Sequence, residues 1–273
     1  LSLDYLIIGH VTQDLLPDGG VTIGGTATYS GRTALALGNR VGVVTSAAPD
    51  LDLGHVLGGC EVVRVPAEAT STFENVYTPS GREQFLYTVA APLGLDAVPR
   101  RWRQPDVVHL APLTNECDPA LVDAFPGALV CATPQGWMRT WDDTGRVRVS
   151  DWPDAAHFLP RIGAVVLSVA DVGGDWAVMA RLAPLLVVTL GSEGCLVYRG
   201  GEEQHVPVAP RPEVDPTGAG DIFAAAFFTR LCQSGDPLAA ARFANEVAAL
   251  SVGRAGWAST PTQQEIAQSI GER

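Results

Sequence analysis

Six short apolar runs constrain the fold most: Tyr5–Ile8, Val41–Thr45, Val107–Leu110, Leu129–Ala132, Ala164–Ser168 and Leu185–Leu190. They are rich in Val, Leu and Ile and show little alternation of polar and apolar residues. Each therefore reads as a strand buried on both faces, the pattern of a parallel sheet covered by helices. Helical stretches are expected over Ala27–Leu37, Pro119–Ala124, Asp175–Leu182, Gly218–Gln233, Leu238–Val252 and Gln263–Ile270. Strand and helix alternate, which predicts an α/β fold with a three-layer α/β/α arrangement. Two stretches break the alternation. Thr72–Tyr77 and Glu83–Val89 flank a turn at Thr78, Pro79, Ser80 and Gly81 and read as a β-hairpin. Gly194–Tyr198 and Gln204–Val208 read as a second one.

Composition narrows the function. The chain has 273 residues, of which 47% are hydrophobic and 18% charged, so one large core-forming domain over residues 1–273 is expected. A net charge of −12 argues against binding nucleic acid or an anionic membrane surface. The five cysteines, Cys60, Cys117, Cys131, Cys195 and Cys232, are widely spaced and read as reduced thiols of a cytoplasmic protein. No apolar run reaches the roughly 18 residues that span a bilayer. The chain starts directly on a strand-like run, so no signal peptide is expected. All 18 basic residues are arginine. A Walker A loop, a protein-kinase strand lysine and a pyridoxal Schiff base each need a lysine and are excluded. Phosphate must then be handled by backbone N–H groups, arginine or metal.

The segment Asp215, Pro216, Thr217, Gly218, Ala219, Gly220 and Asp221 runs straight into the apolar Ile222–Phe228. A turn of small residues thus opens onto a helix whose first N–H groups lack internal partners. Small side chains let a phosphate approach those groups closely. Asp221, in the first helical turn, is placed to take a proton from an attacking hydroxyl. Ordinary dipole compensation by an acidic first-turn residue explains the bare pattern equally well.

The motif resembles the C-terminal signature of the ribokinase-like (PfkB) carbohydrate kinases, and further segments follow in that family's order. Gly9 to Asp14 resembles a motif whose Asp binds substrate hydroxyls. Gly24 and Gly25 begin a Gly-Gly motif in which glycines let substrate touch backbone, with Tyr29 standing where the family has Asn. Thr133 to Arg139 is similar to a segment whose Arg contacts substrate or phosphate. Ser168 and Asp171 stand where the family has an Asn and a Glu that organise magnesium through water. Thr189, Gly191 and Gly194 resemble a loop at the nucleotide phosphates; Asn245 and Gly256 correspond to residues beside the adenine. Asp215 and Thr217, with backbone at Ala255 and Gly256 and with Ser259, match positions that hold a monovalent cation in some relatives.

The resemblance implies a ribokinase-like sheet with a reduced β lid, its elements within 12–24 and 70–90. The half between Leu15 and Ile23 is so short that it reads as nearly deleted. It also implies ATP-dependent phosphorylation of a sugar, cyclitol or related polyol. Asp221 would be the base and the turn at Gly218, Ala219 and Gly220 the anion hole. Mg2+, and K+ in some relatives, would be cofactors, and the protein a monomer or homodimer. The short gap between Asp14 and Gly24 resembles the inositol-kinase-like branch. The alternatives are a nucleoside kinase, or a non-catalytic nucleotide- or sugar-binding protein on the same scaffold, to which the replacements at Tyr29, Thr133, Ser168 and Asp171 would be no obstacle.

Overall fold

The two-faced apolar runs do assemble into one sheet. The computed structural model describes residues 2–78 and 81–271. Among these the chain runs β1 (Tyr5–Ile8), β2 (Thr12–Leu15), β3 (Val21–Gly24), α1 (Thr26–Ala36), β4 (Val41–Ala47), α2 (Leu53–Val56), β5 (Glu61–Pro66), β6 (Ser71–Thr78) and β7 (Gly81–Thr88). It continues through β8 (Val107–Leu110), β9 (Leu129–Ala132), β10 (Arg139–Trp141), β11 (Val147–Val149), α3 (Ala155–Phe158) and β12 (Ala164–Ser168). It ends with α4 (Ala177–Leu182), β13 (Leu185–Thr189), β14 (Cys195–Arg199), β15 (Glu202–Val206), α5 (Ala219–Ser234), α6 (Pro237–Ala249) and α7 (Gln263–Gly271).

The main sheet has the order β15-β14-β13-β12-β9-β8-β1-β4-β5. Its strands are parallel from β13 across to β5, and β14 and β15 close one edge as an antiparallel hairpin. Successive residues of β1 leave on opposite faces. Tyr5 and Ile7 enter a core with Val43, Val187 and the α5 side chains Ile222 and Phe227, whereas Leu6 and Ile8 enter one with Val44, Trp102 and Leu159. The absence of alternation follows, because both faces are covered. The chain passes from β1 outward to β4 and β5, then returns to β8 on β1's other side. That reversal opens a crevice at the carboxyl ends of the strands, where α/β sheets bind ligands.

A second sheet, β3-β2-β6-β7, stands apart from the first. The expected hairpin is present as β6 and β7, paired antiparallel; its turn residues Pro79 and Ser80 lie outside the described residues. Residues 12–24 are short but not structurally lost. They supply two of this sheet's four strands, β2 pairing antiparallel with β3 and parallel with β6. The hairpin β10–β11 joins the sheet through a bridge between Phe85 and Arg146, backed by a bond from Leu86 N to Gly145 O at 2.8 Å.

Helix ends shifted where a local group captured the backbone. Asp236 caps α6 by accepting from Leu238 N and Ala239 N, so the helix begins at Pro237. Asp175 accepts from Ala177 N, and α4 starts at Ala177. Pro119–Asp123 is a 3-10 turn rather than an α-helix.

Candidate active site

The carboxyl ends of the main sheet and the inner face of the small sheet enclose a cavity of about 1080 Å³. Residues singled out in the sequence that line it include Asp14, Gly25, Tyr29, Thr133, Arg139, Ser168, Asp171, Thr189, Gly191, Thr217, Gly218, Ala219, Gly220 and Asp221. Gly24, Gly194, Asp215, Asn245 and Gly256 do not.

At the floor is the first turn of α5. Gly218 sits at its N-cap with φ +80°, a conformation L side chains avoid. Ala219 N–H, expected in the anion hole, donates to Pro216 O at 3.1 Å. Among the described residues no backbone carbonyl accepts from Gly220 or Asp221 N–H, leaving the two donors that a phosphate oxygen would use.

One face of α1 builds this turn, a feature the sequence reading missed. Thr26, Tyr29 and Ser30 follow one another at i, i+3 and i+4 and so share a face. The Thr26 side chain hydrogen-bonds the Asp221 carboxylate. Ser30 Oγ donates to Asp221 O at 2.9 Å. The Tyr29 ring packs so tightly on Gly218 that a Cβ there would collide with it. Tyr29 thus buttresses the turn as well as lining the cavity. Burial, with Asp221, Asp14 and Asp215 nearby, pushes its phenol well up and keeps it neutral.

The Asp221 carboxyl is pushed up to about 7. Burial is the main cause and is opposed by the Thr26 hydrogen bond. Asp171 then raises it, Arg139 lowers it and Asp14 raises it. The elevation is therefore present without a bound phosphate. Such a group is a carboxylate half the time near neutral pH and can take a proton from an alcohol as it reacts.

A side chain on either glycine of the Gly-Gly motif would meet protein atoms. A Cβ on Gly24 would occupy the place of the Asp14 carboxylate, and one on Gly25 would strike His10 O and Thr12 N. Gly25 carries φ +90° and turns the chain from β3 into α1.

Asp171 and Ser168 form a capping box. Asp171 Oδ2 accepts from Ser168 N and Ser168 Oγ, each at 2.8 Å, and Oδ1 accepts from Gln135 Nε2. The carboxylate remains on the cavity wall but is already well bonded, which suits contact with a metal's water better than direct ligation. Thr133 Oγ1 lies 3.0 Å from His109 Nε2, whose ring burial holds near pKa 3 and hence neutral.

Asn245 is buried away from the cavity, and its Nδ2 donates to Val206 O at 2.9 Å. Gly194 is kept by packing, since a Cβ would run into Val206 O. Gly256 N donates to Asp215 Oδ2 at 3.2 Å, while Asp215 Oδ1 accepts from Thr217 N at 2.9 Å.

Residues 176–264 match the description "pfkB family carbohydrate kinase". A cytidine kinase of Thermococcus kodakarensis is 30% identical over 249 residues, covering 82% of this chain and 87% of its own. The chain belongs to this kinase family. An inositol 3-kinase of Zea mays is 28% identical across 93% of this chain and 73% of its own. The fold is shared with a pyrophosphate-dependent kinase of the ribokinase family, complexed with a pyrophosphate analog and myo-inositol. That structure has TM-score 0.81 and 23% identity, with 97% of this chain and 100% of that one covered. Arabidopsis thaliana ribokinase, complexed with ribose and ATP, matches with TM-score 0.74 and 18% identity over 99% of both chains. The ribokinase-like fold and kinase class inferred from the motifs therefore hold. Among the described residues no helix is long and apolar enough to cross a membrane.

Proposed function

We propose that this kinase transfers the terminal phosphoryl group of ATP to a hydroxyl of a neutral polyol, a sugar or cyclitol, with Asp221 as general base. The carrying observation is the Asp221 carboxyl, pushed up to about 7 and set in the first turn of α5 beside two N–H groups without carbonyl partners. Asp221 takes the proton of the acceptor hydroxyl as its oxygen attacks the phosphorus. Gly220 and Asp221 N–H groups receive the charge that builds on the phosphoryl oxygens. Asp14 accepts from acceptor hydroxyls, and Arg139 faces the forming phosphate ester. The small sheet acts as a lid that excludes water. Thr189 and Gly191 line the donor end.

The wall's charge supports a neutral acceptor. Among the described residues, Asp14, Glu83, Asp171, Glu193 and Asp221 line the cavity together with the two cations Arg139 and Arg146. A second anionic group would be repelled there, and a polyanionic donor needs a divalent cation to enter. Mg2+ would supply that charge neutralisation, with Asp171 and Ser168 holding its waters. A monovalent cation would be held near Asp215; in support, Ser259 Oγ is buried without a hydrogen-bond partner among the described residues, and Asp215 is tied to Gly256, three residues before it. Pyrophosphate is a second donor to consider, because the Asn245 amide expected at the base is spent on Val206 O.

Coupled product release is the test, with Mg-ATP or Mg-pyrophosphate against cyclitols, hexoses, pentoses and nucleosides. Wild type should turn over a neutral polyol, and Asp221→Asn should lose roughly 10³-fold or more in kcat with donor affinity little changed. Near wild-type turnover by Asp221→Asn would remove the base assignment. Turnover confined to phosphorylated or carboxylated acceptors would remove the neutral-acceptor assignment.

A further inference from the structure

The inner face of the small sheet carries one apolar patch beside the polar Thr12 and Asp14. Phe73 and Leu86 pack with Leu113 and Val147 into a small cluster of their own. Into this face are set two amides, Asn75 and Gln84, directly opposite each other on β6 and β7. Both line the cavity. Gln84 Nε2 donates to Asn75 Oδ1 at 3.0 Å. Gln84 Oε1 is buried and has no hydrogen-bond partner among the described residues.

This arrangement runs against what strands favour. Half-buried pleated surfaces select β-branched and aromatic residues, and a buried amide oxygen without a partner is destabilising. Buried polar atoms in folded proteins are nearly always satisfied, so a specific exception calls for an explanation. Turning both amides end for end would preserve their mutual bond and leave Gln84 Nε2 unmet instead. In either orientation Gln84 offers the cavity one unused hydrogen-bonding group. A hydroxyl, which both donates and accepts, satisfies either one.

We propose that the Gln84–Asn75 pair is a specificity-determining element that reads one hydroxyl of the acceptor from the lid side. The inference rests on the polyol-kinase reading above and adds a further contact to it. Asp221 engages a hydroxyl from the floor and Asp14 engages one from β2 of the roof; Gln84 engages another from β7. An acceptor lacking that hydroxyl leaves a buried amide unmet and is rejected for that reason.

The experiment compares kcat/KM for the best acceptor and its series of single-deoxy analogues, in wild type, Gln84→Met and Gln84→Glu. Methionine keeps the length and flexibility of the side chain and removes its hydrogen bonding. In wild type, loss of one particular hydroxyl should cost roughly 10- to 100-fold. In Gln84→Met that penalty should shrink to within about threefold, while penalties at the other positions persist. Gln84→Glu, which restores an acceptor, should recover the penalty. Thermal melting identifies any variant that has lost its fold, and the Glu variant then carries the test. Unchanged penalties at every position in Gln84→Met would overturn the inference while leaving the kinase reading intact. A wild-type protein that phosphorylates no polyol would overturn that reading and the inference with it.

Discussion

Floor and roof of the cavity are built on different logic. The floor is backbone-determined: turns at the ends of β12, β13 and before α5 present N–H groups and short acidic side chains, and positive-φ glycines such as Gly218 and Gly191 fix the turns. The roof is determined by side chains on regular strands, where Asp14, Phe73, Asn75 and Gln84 are neighbours through pairing alone. The floor holds the groups assigned to phosphoryl transfer, which hardly differs between acceptors. The roof holds groups that would distinguish one acceptor from another. A backbone-built floor tolerates few substitutions; a side-chain roof can change its reading one residue at a time.

Gly218→Ala should show the floor's intolerance most strongly. The new methyl meets the Tyr29 ring and forces a non-glycine residue to hold φ near +80°. Expected are a loss of about 1–3 kcal/mol in stability and at least a tenfold fall in kcat. The double change with Tyr29→Ala should recover part of the stability, since it removes the collision but not the strain. Full activity in Gly218→Ala would show that the floor is less rigid than described.

On the roof, Arg146→Ala should be milder. Arg146 pairs with Glu83 at 2.6 Å, with both side chains part-exposed. Melting should change by under about 1 kcal/mol, and acceptor KM should rise roughly threefold to tenfold with little change in kcat. A fall in kcat with KM constant would move Arg146 from the roof's group to the floor's.

The smallest effect is expected from Thr26→Val, which removes a hydrogen bond that favours the ionised base. The Asp221 pKa should then rise further, so the rate at pH 7 falls roughly threefold and recovers at pH 8.5. A uniform loss at all pH values would instead mark Thr26 as structural only.

The same comparison explains what could be read from the sequence. The main sheet was legible because two-faced strands leave a continuous apolar run; all six expected strands are present. The turn that forms the floor was legible because Gly218, Gly220 and Asp221 stand together immediately before an apolar helix, and Gly218 takes the positive φ that the turn needs. Asn75 and Gln84 gave no such signal. Which face of a strand they occupy, and what they meet, depends on pairing between segments. Arg146 reaches the cavity through the β10–β11 hairpin, whose polar stretch Asp142, Asp143, Thr144 and Gly145 shows no periodicity. The bond of Asn245 to Val206 O at the end of β15 was likewise not visible, because it too depends on how distant segments meet. Thr26 and Ser30 gave a weaker signal, because α1 also carries Thr28, Arg32 and Thr33 and the sequence does not say which polar residues meet α5.

The central claim is that Asp221 is a base whose high pKa is built into the fold. The measurement that tests it most directly is the pH dependence of kcat/KM for the acceptor in wild type and Asp221→Asn. The base must be ionised to act, so wild-type activity should climb as pH rises through about 7 and level off above it, while the residual activity of Asp221→Asn shows no such limb. A wild-type profile flat from pH 5 to 8, or an identical rising limb in the mutant, would contradict the account.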